Sequence, residues 1–346
     1  MSQSVAAPQD LADYPAIVDT ISSWLPTPAE KVDQSLGEVG RVRAVTAVRA
    51  LNSAALTDPS AFFWQQKLLA RIYDLTTQIP DGPTAEGSVA LHEVTRLLEL
   101  ATIQEEDRHI PDGLLEQAPS EGKAYLSWLK KAARQHRVFK HPYYREFIQH
   151  QAGPEDLRTY ILQESVVDGR FDDLLAMMQI GTSGPAKMEI ATNFWDEMGN
   201  GNPDEVHTHL FNKIFDVFEI TQEELDRVLT ANALLSGNLA VLLCRYRRYY
   251  PEAVGFLGMT EWLVPDRFKS VVSAWQRLGL PDIGIVYHKL HITIDSVHAQ
   301  GWFHNIVAPS AGSEGMRRGI ARGAIWRLNS SARYLDERMA SSVHSV

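Results

Sequence analysis

The chain has 346 residues, 45% of them hydrophobic and 22% charged, with a formal net charge of −10; such a chain can bury one large core or two modest ones. The acidic balance disfavours nonspecific binding to nucleic acid or anionic lipid, the single cysteine, Cys244, rules out an internal disulfide, and no apolar run reaches the roughly 18 residues of a membrane span. The opening MSQSVAAPQD lacks a basic region followed by an apolar one, so the expected compartment is the reducing cytoplasm.

Apolar residues recur at helical spacing almost throughout, as at Leu68, Ile72, Leu75 and Ile79, and no long segment alternates with period two. The fold class expected is all-α. Helices are predicted over roughly 9–24, 29–56, 61–79 and 87–107, with breaks at Pro26–Pro28 and at PDGP, 80–83. These segments carry amphipathic packing faces and no coherent ligand set. Glu106 and His109 form one Glu-x-x-His, a spacing used in diiron bundles, but the charged run EEDRH beside IPDG reads as a solvated helix end. IPDG at 110–113 and PSEG at 119–122 place a seam near residue 118, dividing a region 1–118 from a second domain, 119–346.

Further along, TYILQESVVDGRFDDLLAMM is a strongly apolar helix that sets Glu164 between Leu162 and Val166. Asp168 lies one turn on, on the same face, and Asp172 and Asp173 read equally well as a solvated acidic face. Glu164 is the stronger ligand candidate because its near neighbours are apolar. The next segment, WDEMGNGNPDEVHTHLF from Trp195 to Phe211, places acids and imidazoles on both sides of a run that breaks any helix. On a regular helix Glu197 and His207 would diverge by about 80°, so the interruption can re-aim both toward one centre. An ordinary loop, with Asp204 as a first-turn acid, fits the same residues.

In YHKLHITIDSVHAQGW, residues 287–302, His291, Asp295 and His298 fall at i, i+4 and i+7, within about 60° of one another on one helix face. The residues between them are largely apolar and β-branched, which implies a buried helix. A buried unpaired carboxylate is costly, and a divalent metal satisfies it together with both imidazoles; a hydrogen-bonded core network is the alternative. Asp204 and His207 repeat the spacing of Asp295 and His298, which suggests two metals. His288 is placed at the periphery. The arginines Arg245, Arg247 and Arg248, and the basic tract from Arg317 to Arg338, read as solvated faces or contacts to a substrate carboxylate. Nucleotide loops, His-Glu-x-x-His, Gly-x-Ser-x-Gly and Cys-x-x-Cys are absent.

In combination, QES around Glu164, DEMGNGNPDEVH from Asp196 to His207 and HITIDSVH from His291 to His298 resemble the haem-oxygenase-like diiron oxidases, a group of iron-containing redox enzymes. The resemblance spans roughly residues 119–304. It implies a haem-oxygenase-like seven-helix bundle with an additional N-terminal helical region that packs beside it and contributes to a homodimer. It also implies Glu164, Glu197, His207, His291, Asp295 and His298 as iron ligands, with Asp204 at a further position that bears a carboxylate in the N-oxygenating branch. The implied cofactors are two Fe, with O2 as co-substrate and an external reductant. The expected reaction is N-oxygenation of a small amine or amino acid-derived molecule, and oxidative C–C cleavage or desaturation of an amino acid or fatty acid is the alternative. Partners are then a small-molecule substrate and an electron donor, with no nucleic acid and no membrane. Tyr160, Phe171, Trp195, Tyr246 and Trp302 are aromatics that a pocket, or equally the core, would use.

Overall fold

The computed structural model describes residues 5–343, and helices are the only regular elements among the described residues, as the apolar periodicity predicts. The chain divides into two compact units, Met1–Arg108 and His109–Val346. The division therefore precedes IPDG instead of following it.

The first unit holds α1 (Tyr14–Ser22), α2 (Ala29–Ala54), α3 (Pro59–Thr77) and α4 (Val89–Arg108). α1 begins later than expected because Asp13 caps it, its carboxylate accepting from the Ala16 amide at 2.9 Å. α2 is bent at Gly37, whose φ of +56° suits a residue without a Cβ. Asp33 of α2 caps α4 from a distance in sequence, accepting from the Ser88 hydroxyl at 2.7 Å and the Val89 and Ala90 amides at 2.9 and 3.0 Å. Burial pushes the Asp33 carboxyl up, but the Ala90 and Val89 amides outweigh it and hold the pKa below its ordinary value. Glu106, expected at a solvated helix end, is instead buried.

The second unit runs through α5 (Gly122–Gln135), α6 (Pro154–Asp168), α7 (Phe171–Gln179), α8 (Gly184–Glu197), α9 (His207–Phe218), α10 (Gln222–Val228), α11 (Ala231–Arg245), α12 (Tyr250–Arg277) and α13 (Val286–Trp302). A π-helical turn, Phe303–Val307, and the short α14, Ala308–Ser310, lead into α15, Glu314–Val343. α11 is buried almost along its length, and among the described residues no single helix is long and apolar enough to cross a membrane. Cys244, inside α11, has its thiol pushed up to about 12 by burial, which removes it as a nucleophile.

α12 is the central packing element and lies against both α13 and α15. Its contact with α15 is close because the facing positions carry no side chains. A Cβ on Gly255 would collide with the Ile320 carbonyl, and one on Gly323 with the Glu252 carbonyl. At Gly258 the space a Cβ would fill is taken by the Trp302 indole, 2.8 Å away, whose Nε1 donates to the Val254 carbonyl at 2.9 Å. That bond fixes the end of α13 on α12 and so sets which residues of the two helices face each other. Gly323→Ala should therefore lower the thermal midpoint, by overpacking worth about 1–3 kcal/mol. Gly315→Ala, with open space around it, should leave the midpoint unchanged or slightly raised; circular dichroism melts check both.

Candidate metal centre

Glu197 is the last residue of α8 and His207 the first of α9. Between them the backbone is left-handed at Gly199, Asn200 and Gly201, with φ of +61°, +53° and +88°, conformations in which a Cβ is disfavoured. A Cβ on Gly199 would also lie 2.6 Å from the Glu205 carbonyl carbon. The reversal is tight enough to return the chain to its start. His207 Nδ1 lies 2.9 Å from Glu197 Oε2, outside hydrogen-bonding direction, with both side chains buried.

α13 supplies the second set. His291, Asp295 and His298 are all buried. His291 Nδ1 sits 2.8 Å from the Tyr287 carbonyl; because a carbonyl only accepts, Nδ1 carries the proton and Nε2 presents its lone pair. That Nε2 is 3.6 Å from Glu197 Oε1. That gap is longer than a hydrogen bond and leaves room for a cation between the two groups. His298 repeats the pattern: Nε2 is 3.0 Å from Asp196 Oδ2, and Nδ1 is 3.6 Å from Glu261 Oε2 without a hydrogen bond. A carboxylate that holds the far nitrogen of an imidazole is the usual support of a metal-binding histidine.

Ligand atoms of Glu197, His207 and His291 lie within 4.8 Å of one another, and so do those of Glu261, Asp295 and His298. Both triplets border a single cavity, whose lining includes Asp168, Glu197, Glu261, His291 and Asp295 and whose apolar walls are Phe171, Val264, Phe268 and Tyr287. It is small, about 20 Å³, room for about one water-sized occupant. Both oxygens of Glu261, Oδ2 of Asp168 and Nδ1 of His207 and His298 are buried without a hydrogen-bond partner. Orphaned donors of metal-ligating type, converging from four helices, fit one or two cations with mixed carboxylate and imidazole ligands.

The protonation pattern agrees with that fit. Burial pushes Asp168 well above the carboxylate range, and the nearby Glu164 adds to it; burial and Glu261 do the same to Asp295. Burial also raises Glu197, but His207 and His291 overcome it and hold it at about 2. Burial lowers His298, yet Glu261 and Asp196 carry it to about 9. His288 is different: burial lowers it to about 3, its nitrogens have no partner, and its ring packs 4.4 Å from that of Phe268. It is a core imidazole that does not line the cavity.

Of the residues singled out in the sequence, Glu197, His207, His291, Asp295 and His298 are brought together. Two are not. Glu164 lines a separate chamber with Arg267, Arg327 and Tyr334, and Asp168, one turn further along α6, takes the place at the cavity. Asp204 is exposed in the 3-10 turn Pro203–Glu205, where its amide donates to Asn202; the turn that returns His207 to the centre throws Asp204 outward. Asp168, Asp196 and Glu261 were missed as contributors. Glu261 carried the signal used for Glu164, an acid amid apolar neighbours, in GFLGMTEWLVP. Of the candidate pocket aromatics only Phe171 reaches the cavity, while Trp195 is half exposed and Trp302 is core.

A family model for iron-containing redox enzymes matches residues 158–332, a span that holds every residue of this centre, and the chain belongs to that family. Its fold is accordingly the all-α haem-oxygenase-like bundle, and the chain is an oxidoreductase by class. No curated protein gives a match to the chain.

Asp196→Asn should weaken metal binding by about 10–100-fold, the usual effect of losing an orienting carboxylate. Asp204→Ala and Glu164→Gln should bind metal as the unaltered protein does. Titration of the metal-free protein with Fe(II) under argon measures each.

Proposed function

We propose that the protein is a non-haem diiron oxygenase that places oxygen from O2 on the nitrogen of a small amine or amino acid-derived substrate. The observation that carries this reading is the meeting of two carboxylate–imidazole triplets at one cavity in a chain of this family. Glu197, His207 and His291 would hold one iron and Glu261, Asp295 and His298 the other, with Asp168 as a further carboxylate. Bound there, two irons supply the one-electron steps that activate O2 with electrons from an external reductant.

The chain's own residues prepare that site. The Tyr287 carbonyl and the Asp196 carboxylate fix the ring orientations of His291 and His298. Phe171, Val264, Phe268 and Tyr287 keep bulk water from the donors. Anionic ligands stabilise the oxidised metal, and Asp168, Glu197, Glu261 and Asp295 outnumber the imidazoles. This acid-rich set favours the N-oxygenating branch; the additional carboxylate that the resemblance assigned to Asp204 falls to Glu261 or Asp168. Self-association through the N-terminal unit belongs to the same proposal, supported by Val39 and Val42, which are exposed three residues apart on α2; light scattering that finds only monomer removes it.

The test is anaerobic Fe(II) loading followed by isotopically labelled O2, a reductant and a panel of small amines, read by mass. Labelled oxygen on nitrogen is expected, lost in His291→Ala and Glu261→Ala and retained in Asp204→Ala. Products lighter by two hydrogens, or shortened in carbon, with no oxygen on nitrogen would replace the reading with oxidative cleavage or desaturation. A protein that retains no iron would remove both.

A further inference from the structure

A second cavity, about 480 Å³, lies between α5, α12 and the end of α13, with Lys130, Glu261, Trp262, Pro265, Phe303 and His304 in its lining. Its size is within the range of small-ligand sites. Glu261 belongs to this groove and to the metal-ligand cavity alike, so a molecule in the groove is one side chain from the centre. Pro265, inside α12, has no N–H, which leaves the Glu261 carbonyl without its helical partner. The inner end of the groove therefore offers the Glu261 carboxylate as an acceptor for the N–H of an amine.

The opposite character appears at Lys130. Its Nζ lies over the rings of Phe303 and Trp262, at 4.7 and 5.7 Å from their centroids, and the Arg134 guanidinium stacks on Trp262 at 5.4 Å. No carboxylate lies within ion-pair distance of Lys130 or Arg134 among the described residues. The one acid in the lining besides Glu261 is Asp266, which is engaged by Lys269 at 3.0 Å and Arg145 at 3.7 Å. In a chain with a net charge of −10, two cations left without counter-ions on one aromatic wall form a receptor for a small anion. Burial, with Arg134 adding to it, lowers the Lys130 pKa, so an arriving carboxylate gains a partner that water solvates poorly.

We propose that this groove is the substrate site and that it takes an amino carboxylate, with Lys130 pairing the carboxylate, Trp262 and Phe303 flanking the chain, and the amine at Glu261. The position of the amine rests on the N-oxygenase reading, whereas the carboxylate anchor stands on the groove alone. Calorimetry on the full-length, Fe(II)-supplied protein under argon, where no turnover occurs, tests it with the twenty proteinogenic amino acids and 4-aminobenzoate as probes. At least one should bind, and its carboxamide should bind about tenfold more weakly or worse, as the loss of a charge-assisted hydrogen bond requires. Lys130→Met should reduce the acid to the level of the amide and leave the amide unchanged, and Lys130→Arg should restore part of the difference. Lys130 is partly exposed, and an unaltered thermal melt of Lys130→Met verifies its fold. Absence of binding by every probe, or equal binding of acid and amide, overturns the proposal, as does Lys130→Met binding the acid like the unaltered protein. Because the readout is binding without O2, a protein that binds these acids but never oxygenates nitrogen refutes the reaction and leaves the anchor standing. Oxygenation without carboxylate selectivity does the reverse.

Discussion

Four carboxylates, Asp168, Glu197, Glu261 and Asp295, line one buried cavity beside the imidazoles, and such a set is stable only if positive charge stands between its members. Two like charges 4 Å apart repel by about 4 kcal/mol at the effective dielectric of a protein site. Protons can supply the compensation, and the directions of the shifts place them: Asp168 and Asp295 are held in their neutral form by burial and by neighbouring acids, and His298 is held protonated by Glu261 and Asp196. Glu197 is the exception, its ionised form kept by His207 and His291. Divalent cations at the two triplets would replace several protons at once and satisfy the orphaned atoms of Glu261, Asp168, His207 and His298. The centre is thus a place where metal and protons compete for the same donors.

Holding such a set together requires elements that do not yield to the repulsion. α12 meets this demand through backbone contacts, since Gly255 and Gly323 bring it and α15 within reach of each other's carbonyls. Trp302 then pins α13 to α12, and with that register set, Glu261 of one helix faces His298 of the other. The left-handed run Gly199–Gly201 does for α8 and α9 what the glycine seam does for the long helices. It brings donors from successive helices to one point while sparing the interior any side chain that would fill it. Pro265 is the one irregularity inside α12, and it falls where that helix borders both the metal-ligand cavity and the groove beside it.

Helix positions were legible from the sequence because apolar period and breakers are local properties, and α2, α3 and α4 begin and end within about two residues of expectation. The stripe of His291, Asp295 and His298 was legible for the same reason: one regular helix fixes their common face. Glu164 and Asp204 mark where local reading stops. An acid among apolar residues suggests burial but not what it faces, and Glu164, only half-buried, lines a chamber with arginines. For Asp204 the spacing to His207 copied that of Asp295 to His298, but the copy sits on a 3-10 turn instead of a continuous helix, so the shared spacing does not mean a shared face. Glu261 comes from a helix that carries no other donor to the centre. Its apolar neighbours mark it for burial, but only the packing of α12 on α13 shows that it faces the centre.

The arginine chamber beside the centre explains why α6 carries two acids one turn apart. Arg267 and Arg327 are buried, each donating to a serine, to Ser331 at 2.7 Å and to Ser236 at 2.8 Å, and neither meets a carboxylate in a hydrogen bond among the described residues. Burial and the proximity of Arg267 bring Arg327 down to about 10, still above neutrality, so the chamber is cationic. Glu164 lines this chamber beside both guanidiniums. Asp168, one turn on, feels the other side of the arrangement: Glu164 raises it, while Arg327 and Arg267 lower it against the larger penalty of burial. The guanidiniums thereby reduce the cost of ionising Asp168 without occupying its oxygens, one of which remains free of any hydrogen bond. An acid left unpartnered but electrostatically assisted can stay neutral while the cavity is metal-free and give up its proton when a cation arrives.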